Sequence, residues 1–86
     1  MARLFAANLK RCRNQVGLSQ EEVSIRASLH RTEISQLERA LRVPRLDSLV
    51  KLAASLGVEP QELLRGIQWK PSVVEYGHFR SPADKS

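Results

Sequence analysis

Residues 18–38, LSQEEVSIRASLHRTEISQLE, contain two short amphipathic patterns with almost nothing between them. SQEE predicts a capping box, in which the Ser19 hydroxyl accepts the backbone N–H of Glu22 and the Glu22 side chain returns to the Ser19 N–H. The first helix can last only about two turns, because the chain must turn at Ser28 before the second pattern begins. We therefore predict two short helices that are joined by a turn of about three or four residues and meet at a steep angle.

Helical periodicity continues on both sides of this turn. On the N-terminal side, residues 4–16 predict a helix that Gly17 ends. Its apolar face consists of Phe5, Leu9, Cys12 and Val16. On the C-terminal side, the second helix of the pair is expected over residues 31–38, with Ile34 and Leu37 facing the core.

The next part of the chain predicts a loop and two more helices. Pro44 breaks the loop, and Leu41 and Val43 are expected to anchor it to the core. Residues 46–56 give the clearest helical pattern, and Pro60 suits the first turn of a short fifth helix that Gly66 ends. The inward-facing side chains are expected to be Leu46, Leu49, Leu52 or Ala53, Leu56, Leu63, Leu64 and Ile67. The predicted fold class is therefore all-α, an orthogonal bundle of five short helices.

The C-terminal residues have a different character. Trp69, Tyr76 and Phe79 are three of the four aromatic residues, SVVEY is β-prone, and SPADKS has the composition of a disordered tail. We divide the chain into a helical domain over residues 1–67 and an irregular or β-prone arm and tail over residues 68–86. The arm either covers the thin core of a small domain, contributes to a dimer, or binds another protein.

Charge and composition limit the classes of function. The net charge is +5, and residues 1–43 carry eight of the basic side chains against four acidic ones. This excess favours a polyanionic partner, nucleic acid first, although a merely soluble basic surface would have the same composition. No apolar run approaches the roughly 18 residues of a membrane span, and no signal peptide is evident. The single cysteine, Cys12, fits a reducing compartment, so a cytoplasmic protein is expected.

The sequence offers little for catalysis or for metal binding. One cysteine and two distant histidines, His30 and His78, do not predict a structural zinc site. Paired carboxylates in a pocket, a Ser-His-Asp set and a phosphate-binding glycine loop are not evident in the sequence. We therefore expect neither an enzyme nor a cofactor.

The outer face of the second central helix carries side chains that suit DNA bases. An α-helix fits the major groove, where Arg31 could donate two hydrogen bonds to guanine and Gln36 could pair with N6 and N7 of adenine. Thr32 offers a hydroxyl to a base edge and a methyl to thymine. On periodicity alone, the same residues could equally form a solvated face without a ligand.

Other polar side chains suit the phosphate backbone. Gln20 lies in the first turn of its helix, where backbone N–H groups and the helix dipole favour an anion. The basic side chains that follow the second helix could also contact phosphates, and they are Arg39, Arg42 and Arg45.

Taken together, these segments resemble the helix-turn-helix domain of the lambda-repressor/Cro type, also called the Xre family. The resemblance covers residues 9–64, in which GLSQEEV, TEISQLER, the proline after the loop, LDSLVKLAASLGV and ELL occur in the family's order. It implies five helices and binding to double-stranded operator DNA, mostly as a homodimer. A transcriptional regulator is then expected, acting as a repressor on a pseudo-palindrome whose half-sites lie about one helical turn apart. A helix-turn-helix module that regulates another protein without contacting DNA is the alternative.

The resemblance also implies roles for single residues. The base-contacting residues would be Arg31, Thr32 and Gln36, with His30 and Ser35 at the edges. Gln20 would contact a phosphate, and Arg13 would pair with Glu38 to fix the DNA-contacting helix against the scaffold. Four positions depart from the family pattern, and they are Ser24, Ser28, His30 and Ala40. Ser28 replaces a turn glycine and His30 replaces a serine or threonine cap, so modest stability is predicted.

Overall fold

The computed structural model describes residues 1–72, and this part of the chain contains five helices and no strand. The helices are α1 (Ala2–Gln15), α2 (Gln20–Ala27), α3 (Arg31–Glu38), α4 (Leu46–Leu56) and α5 (Pro60–Leu63). The all-α class is confirmed, and α3 and α4 have the bounds that the sequence predicts. α5 is shorter than predicted, since Leu64 already caps it before the left-handed Gly66. Within residues 1–72, none of the helices has the length and apolar character that a bilayer crossing needs.

The capping box of α2 forms as the sequence predicts. The backbone N–H of Glu22 donates to Ser19 Oγ at 3.0 Å, and the Ser19 N–H donates to Glu22 Oε1 at 2.8 Å. The hydrogen bond from the Ser19 backbone, followed by that with its side chain, lowers the pKa of the Glu22 carboxyl. Because the folded state favours the ionised form of Glu22, the capping box contributes to the stability of the fold above the usual glutamate pKa. This stability is lost as the pH falls through the lowered pKa of Glu22 in the folded state.

The turn between α2 and α3 contains the strain that the sequence predicts. Ser28 has a φ of 55°, in the left-handed region that glycine adopts most easily. Its N–H donates to the carbonyl of Ile25, and the N–H of Leu29 donates to that of Ser24, so the end of α2 is closed. His30 caps α3 by position, but its side chain makes no capping hydrogen bond.

The core lies where the five helices meet. α3 packs on α1 and α2, α2 packs on α4, and α5 joins α4 to α1. The largest fully buried side chains are Phe5, Leu9, Cys12, Val23, Ile34, Leu37, Leu52 and Leu63. The inner faces of α1, α3 and α4 thus follow the helical period of the sequence.

Several apolar residues that the pattern places inside are exposed. They are Val16, Leu41, Val43, Leu46 and Leu64. Val16 lies beyond the last residue of α1. Leu41 and Val43 are exposed in the loop before α4, so they do not anchor that loop to the core. Leu46 is 78% exposed because it opens α4, one turn before that helix reaches the core at Leu49. Periodicity predicts which face of a helix is apolar, but it does not predict how far along that face the neighbouring helices pack.

Candidate nucleic-acid interface

The outer face of α3 brings four of the predicted base-contacting residues together. Ile34, Leu37 and Glu38 are buried on the inner side of the helix. The outer face consists of Arg31, Thr32, Ser35 and Gln36, of which the first two are exposed and the last two partly buried. This grouping follows from the helical period of 3.6 residues. His30 is exposed at the N-terminal end of the same face.

The N-terminal ends of α2 and α3 border a shallow, open depression. Its lining residues are Gln20, Arg31, Thr32 and Ser35, and its volume is about 220 Å³. The residue predicted to contact phosphate therefore lies beside three of those predicted to contact bases. A ligand that touches this face would meet both helices of the motif together.

A bidentate ion pair holds α3 against α1. Arg13 Nε donates to Glu38 Oε2 at 2.6 Å, and Arg13 Nη2 donates to Glu38 Oε1 at 2.9 Å. The Glu38 side chain is only 3% exposed. The side-chain hydrogen bond with Glu38 raises the pKa of the Arg13 guanidinium above its ordinary value, so Arg13 keeps its charge. Arg13 Nη1 also donates to the carbonyl of Leu18, just before α2.

Gln20 belongs to the same network. Its Nε2 donates to Glu38 Oε1 at 3.1 Å, which ties the first residue of α2 to the last residue of α3. One carboxylate thus fixes both helices of the motif to α1. Sequence reasoning did not find this contact, because two polar side chains 18 positions apart leave no periodic signal.

Two further side-chain hydrogen bonds shape the face. Arg42 Nη1 donates to Gln36 Oε1 at 3.2 Å, so a loop arginine predicted to contact phosphate reaches a residue predicted to contact bases. Ser48 Oγ donates to Glu33 Oε2 at 3.1 Å, and Ser48 is buried at the start of α4. The only acidic side chain in the first turn of α3 therefore has a partner in the scaffold.

The basic side chains of this region carry an excess of positive charge. Among residues 1–72, Arg31, Arg39 and Arg42 form no ion pair with a carboxylate. Arg45 Nε lies 3.4 Å from Asp47 Oδ1, and both side chains are exposed. The surface around α3 therefore attracts a polyanion.

The remaining predictions concern residues away from this face. Cys12 is buried in the core, and within residues 1–72 no cluster of three or more His, Cys, Asp and Glu side chains could hold a metal ion. Trp69 is exposed, whereas Tyr76 and Phe79 lie outside the described residues. The division at residue 67 and the roles proposed for the arm stay predictions.

A comparison with known protein families shows the family of this chain. The family described as helix-turn-helix matches residues 9–63, which include all five helices in whole or in part. The chain belongs to the Xre-type helix-turn-helix family. The match begins within α1 and ends at the last residue of α5, so it agrees closely with the resemblance that the motifs predicted over residues 9–64.

Individual relatives of this helix-turn-helix protein agree with that assignment. Control protein C.BamHI from Bacillus amyloliquefaciens is 39% identical over 62 residues, which are 71% of this chain and 76% of the relative. The HTH-type transcriptional regulator y4dJ from Sinorhizobium fredii is 41% identical over 64 residues, which are 74% and 83% of the two chains. The crystal structure of the restriction-modification controller protein C.AhdI from Aeromonas hydrophila superposes with a TM-score of 0.70 at 35% identity, covering 72% of this chain and 94% of that one.

Proposed function

We propose that this protein is a transcriptional repressor that binds a pseudo-palindromic operator in the cytoplasm as a homodimer. The outer face of α3 is the observation that carries the proposal, because its polar side chains lie together on a helix that a buried ion pair fixes to the scaffold. In this arrangement α3 enters the major groove, where base edges have distinct donor and acceptor patterns. The names of the relatives, a control protein and a transcriptional regulator, support a regulatory role.

The exposed ends of the α3 side chains would contact the bases. Arg31 would donate two hydrogen bonds to guanine O6 and N7, and Thr32 would contact a thymine methyl or a base edge. Gln36 would contact a further base, with His30 and Ser35 at the edges of the site. A rigid helix is needed here, because such hydrogen bonds depend on direction as well as distance.

The surrounding polar groups would hold the phosphate backbone on either side of the groove. One N–H of the Gln20 amide is used by Glu38, which leaves the second for a phosphate oxygen. The arginines that follow α3 would contact phosphates from the loop, and they are Arg39, Arg42 and Arg45. These contacts fix the position of the protein without specifying sequence.

An apolar groove supports the homodimer. It is lined by side chains from α1, α4, the loop before α4 and the chain after α5, among them Phe5, Val43, Leu46, Leu49, Leu64 and Ile67. We call this set the apolar groove. Contiguous exposed apolar surface is costly in water, and a second copy would cover it. The sequence suggests two other groups that could cover the apolar groove, namely the aromatic arm of this chain or another protein.

A fluorescence-anisotropy titration against a labelled random duplex tests DNA binding directly. We expect weak binding at low salt, with the logarithm of the association constant falling linearly with the logarithm of the salt concentration. The slope reports the number of phosphates neutralised, because each contact releases counterions from the duplex. Binding without a salt dependence, or no binding at low salt, would contradict the proposal and favour a module that regulates another protein.

Replacing Arg31 with alanine should reduce sequence preference at one operator position. We expect a loss of about 1–3 kcal/mol of discrimination there, the value of one bidentate arginine–guanine pair. Arg39→Ala is the matched control, since Arg39 is also exposed but follows the helix, and it should weaken binding to all sequences alike. Competition titrations with single-base operator variants measure both effects. Uniform weakening by Arg31→Ala would assign Arg31 to the backbone.

A further inference from the structure

The contact between Arg42 and Gln36 has a consequence for which base is selected. Arg42 lies in the loop after α3, and its Nη1 donates to Gln36 Oε1 at 3.2 Å. Gln36 lies on the outer face of α3, partly buried, while Arg42 is exposed. The two side chains therefore form one unit at the edge of the candidate interface.

The backbone holds the loop at the position that this contact requires. Ala40 has a φ of 60°, its N–H donates to the carbonyl of Leu37, and the N–H of Leu41 donates to the carbonyl of Gln36 at 2.9 Å. These two hydrogen bonds form a Schellman motif, which closes the C-terminal end of α3 and turns the chain back toward it. Arg42 directly follows this motif, so its side chain starts beside Gln36.

The chemistry of the two groups fixes the orientation of the Gln36 amide. A guanidinium has only N–H donors, so the amide atom that faces Arg42 has to be the oxygen. The hydrogen-bonding capacity that remains on the amide is the two N–H donors of Nε2 and one lone pair of the oxygen. The neighbouring guanidinium adds further donors, so Gln36 and Arg42 together present a surface rich in donors.

Guanine and adenine differ in what they offer to such a surface. Guanine has two acceptors in the major groove, N7 and O6, whereas adenine has the acceptor N7 and the donor N6. A glutamine that pairs with adenine at both atoms needs its oxygen to accept from N6, whereas Arg42 already uses one of the two lone pairs of the Gln36 oxygen and sets its own N–H donors beside the amide. Those donors match the O6 acceptor of guanine and would face the N6 donor of adenine. We infer that Arg42 positions the Gln36 amide so that this helix selects guanine over adenine. The inference rests on the proposed function and replaces the adenine contact expected from the sequence.

The other arginines near α3 are suitable controls. Within residues 1–72, neither Arg39 nor Arg45 donates a side-chain hydrogen bond to α3, and Arg45 pairs with Asp47. Arg39 is exposed and lies three residues before Arg42. Replacing Arg39 or Arg42 by methionine removes one charge and keeps a flexible, unbranched side chain. Only Arg42→Met removes the contact with Gln36.

The test begins with selection of bound duplexes from a random library by the wild-type chain. Gln36→Ala then identifies the operator position that Gln36 contacts, because base preference should be lost at that position alone. Two duplexes that differ only there, one with guanine and one with adenine, are compared by competition anisotropy. We expect the wild type to prefer guanine by about tenfold, the effect of one additional good hydrogen bond to a base.

The variants give the decisive comparison. Arg42→Met should reduce the preference for guanine to less than about twofold or reverse it, since the freed amide can then pair with adenine at both atoms. Arg39→Met should weaken both duplexes by the same factor and leave the preference unchanged. In a Gln36→Ala background, Arg42→Met should no longer alter the relative affinity for the guanine and adenine duplexes. Thermal melts of all variants test whether they fold.

Two results would overturn the inference alone, namely a wild-type preference for adenine at this position, or a guanine preference that Arg42→Met leaves unchanged. In both cases the chain still binds DNA with sequence preference, so the proposed function would stand. A wild-type chain that binds all duplexes alike would instead overturn the proposed function and the inference with it.

Discussion

Replacing Glu38 with alanine is expected to lower the free energy of unfolding by about 3–5 kcal/mol. The Glu38 carboxylate accepts three hydrogen bonds, two from Arg13 at 2.6 and 2.9 Å and one from Gln20 at 3.1 Å. The alanine variant would leave a partly buried guanidinium charged, because arginine does not lose its proton at accessible pH. A small domain has a total stability of roughly 5 kcal/mol at the low end, so most of it would be lost.

Urea unfolding followed by circular dichroism at 222 nm measures this effect. Asp47→Ala is the control, because it breaks the exposed pair with Arg45 and should cost less than about 1 kcal/mol. Removing Arg13 in the Glu38→Ala background should recover part of the loss, since the unpaired charge is then gone. If Glu38→Ala costs no more than Asp47→Ala, the buried pair does not fix the helix in the way that we describe.

The position of the helices could largely be predicted from local signals. SQEE begins α2, Gly57 ends α4 and Pro60 opens α5, and each signal acts within a few residues of the chain. Ser28 shows that even a departure from the family pattern was predictable, since it adopts the left-handed conformation that the turn needs. Local backbone chemistry is visible in a single sequence.

The exposed apolar residues show where sequence reasoning stops. Leu46 and Leu49 lie on the same face of α4, yet only Leu49 is buried. The difference depends on which other segments pack against each turn, and periodicity contains no information about that. Val43, expected to anchor its loop, instead lines the apolar groove beside Leu46.

The candidate site also has some features that the sequence predicts and others that only the structure shows. Arg31 and Thr32 share an outer face because of the helical period, which the sequence contains. The contacts of Gln20 with Glu38 and of Arg42 with Gln36 depend on packing between segments, and they change what those side chains can offer to DNA. Residue types therefore indicated a DNA-contacting surface, while the donors and acceptors available on it required the structure.

Replacing Leu46 with aspartate is expected to convert the proposed homodimer into a monomer. Leu46 is the most exposed of the large apolar side chains in the apolar groove, and a carboxylate there would lose its hydration without gaining a partner. Affinity for the palindromic operator should then fall by about 100-fold or more, because the two half-sites are no longer bound by one linked pair. Affinity for a duplex with a single half-site should not change, since the outer face of α3 is untouched.

Ile25→Asp is the matched control, and sedimentation equilibrium with both variants is the measurement. Ile25 is 73% exposed on α2 and does not line the apolar groove, so its replacement adds the same charge and removes a similar side chain. We expect the Ile25 variant to sediment as a dimer and the Leu46 variant as a folded monomer. A dimer in both would contradict the apolar groove as the interface. A chain that ends at Ile67 would then be expected to sediment as a monomer, because the arm over residues 68–86 is the other dimer contact that the sequence suggests.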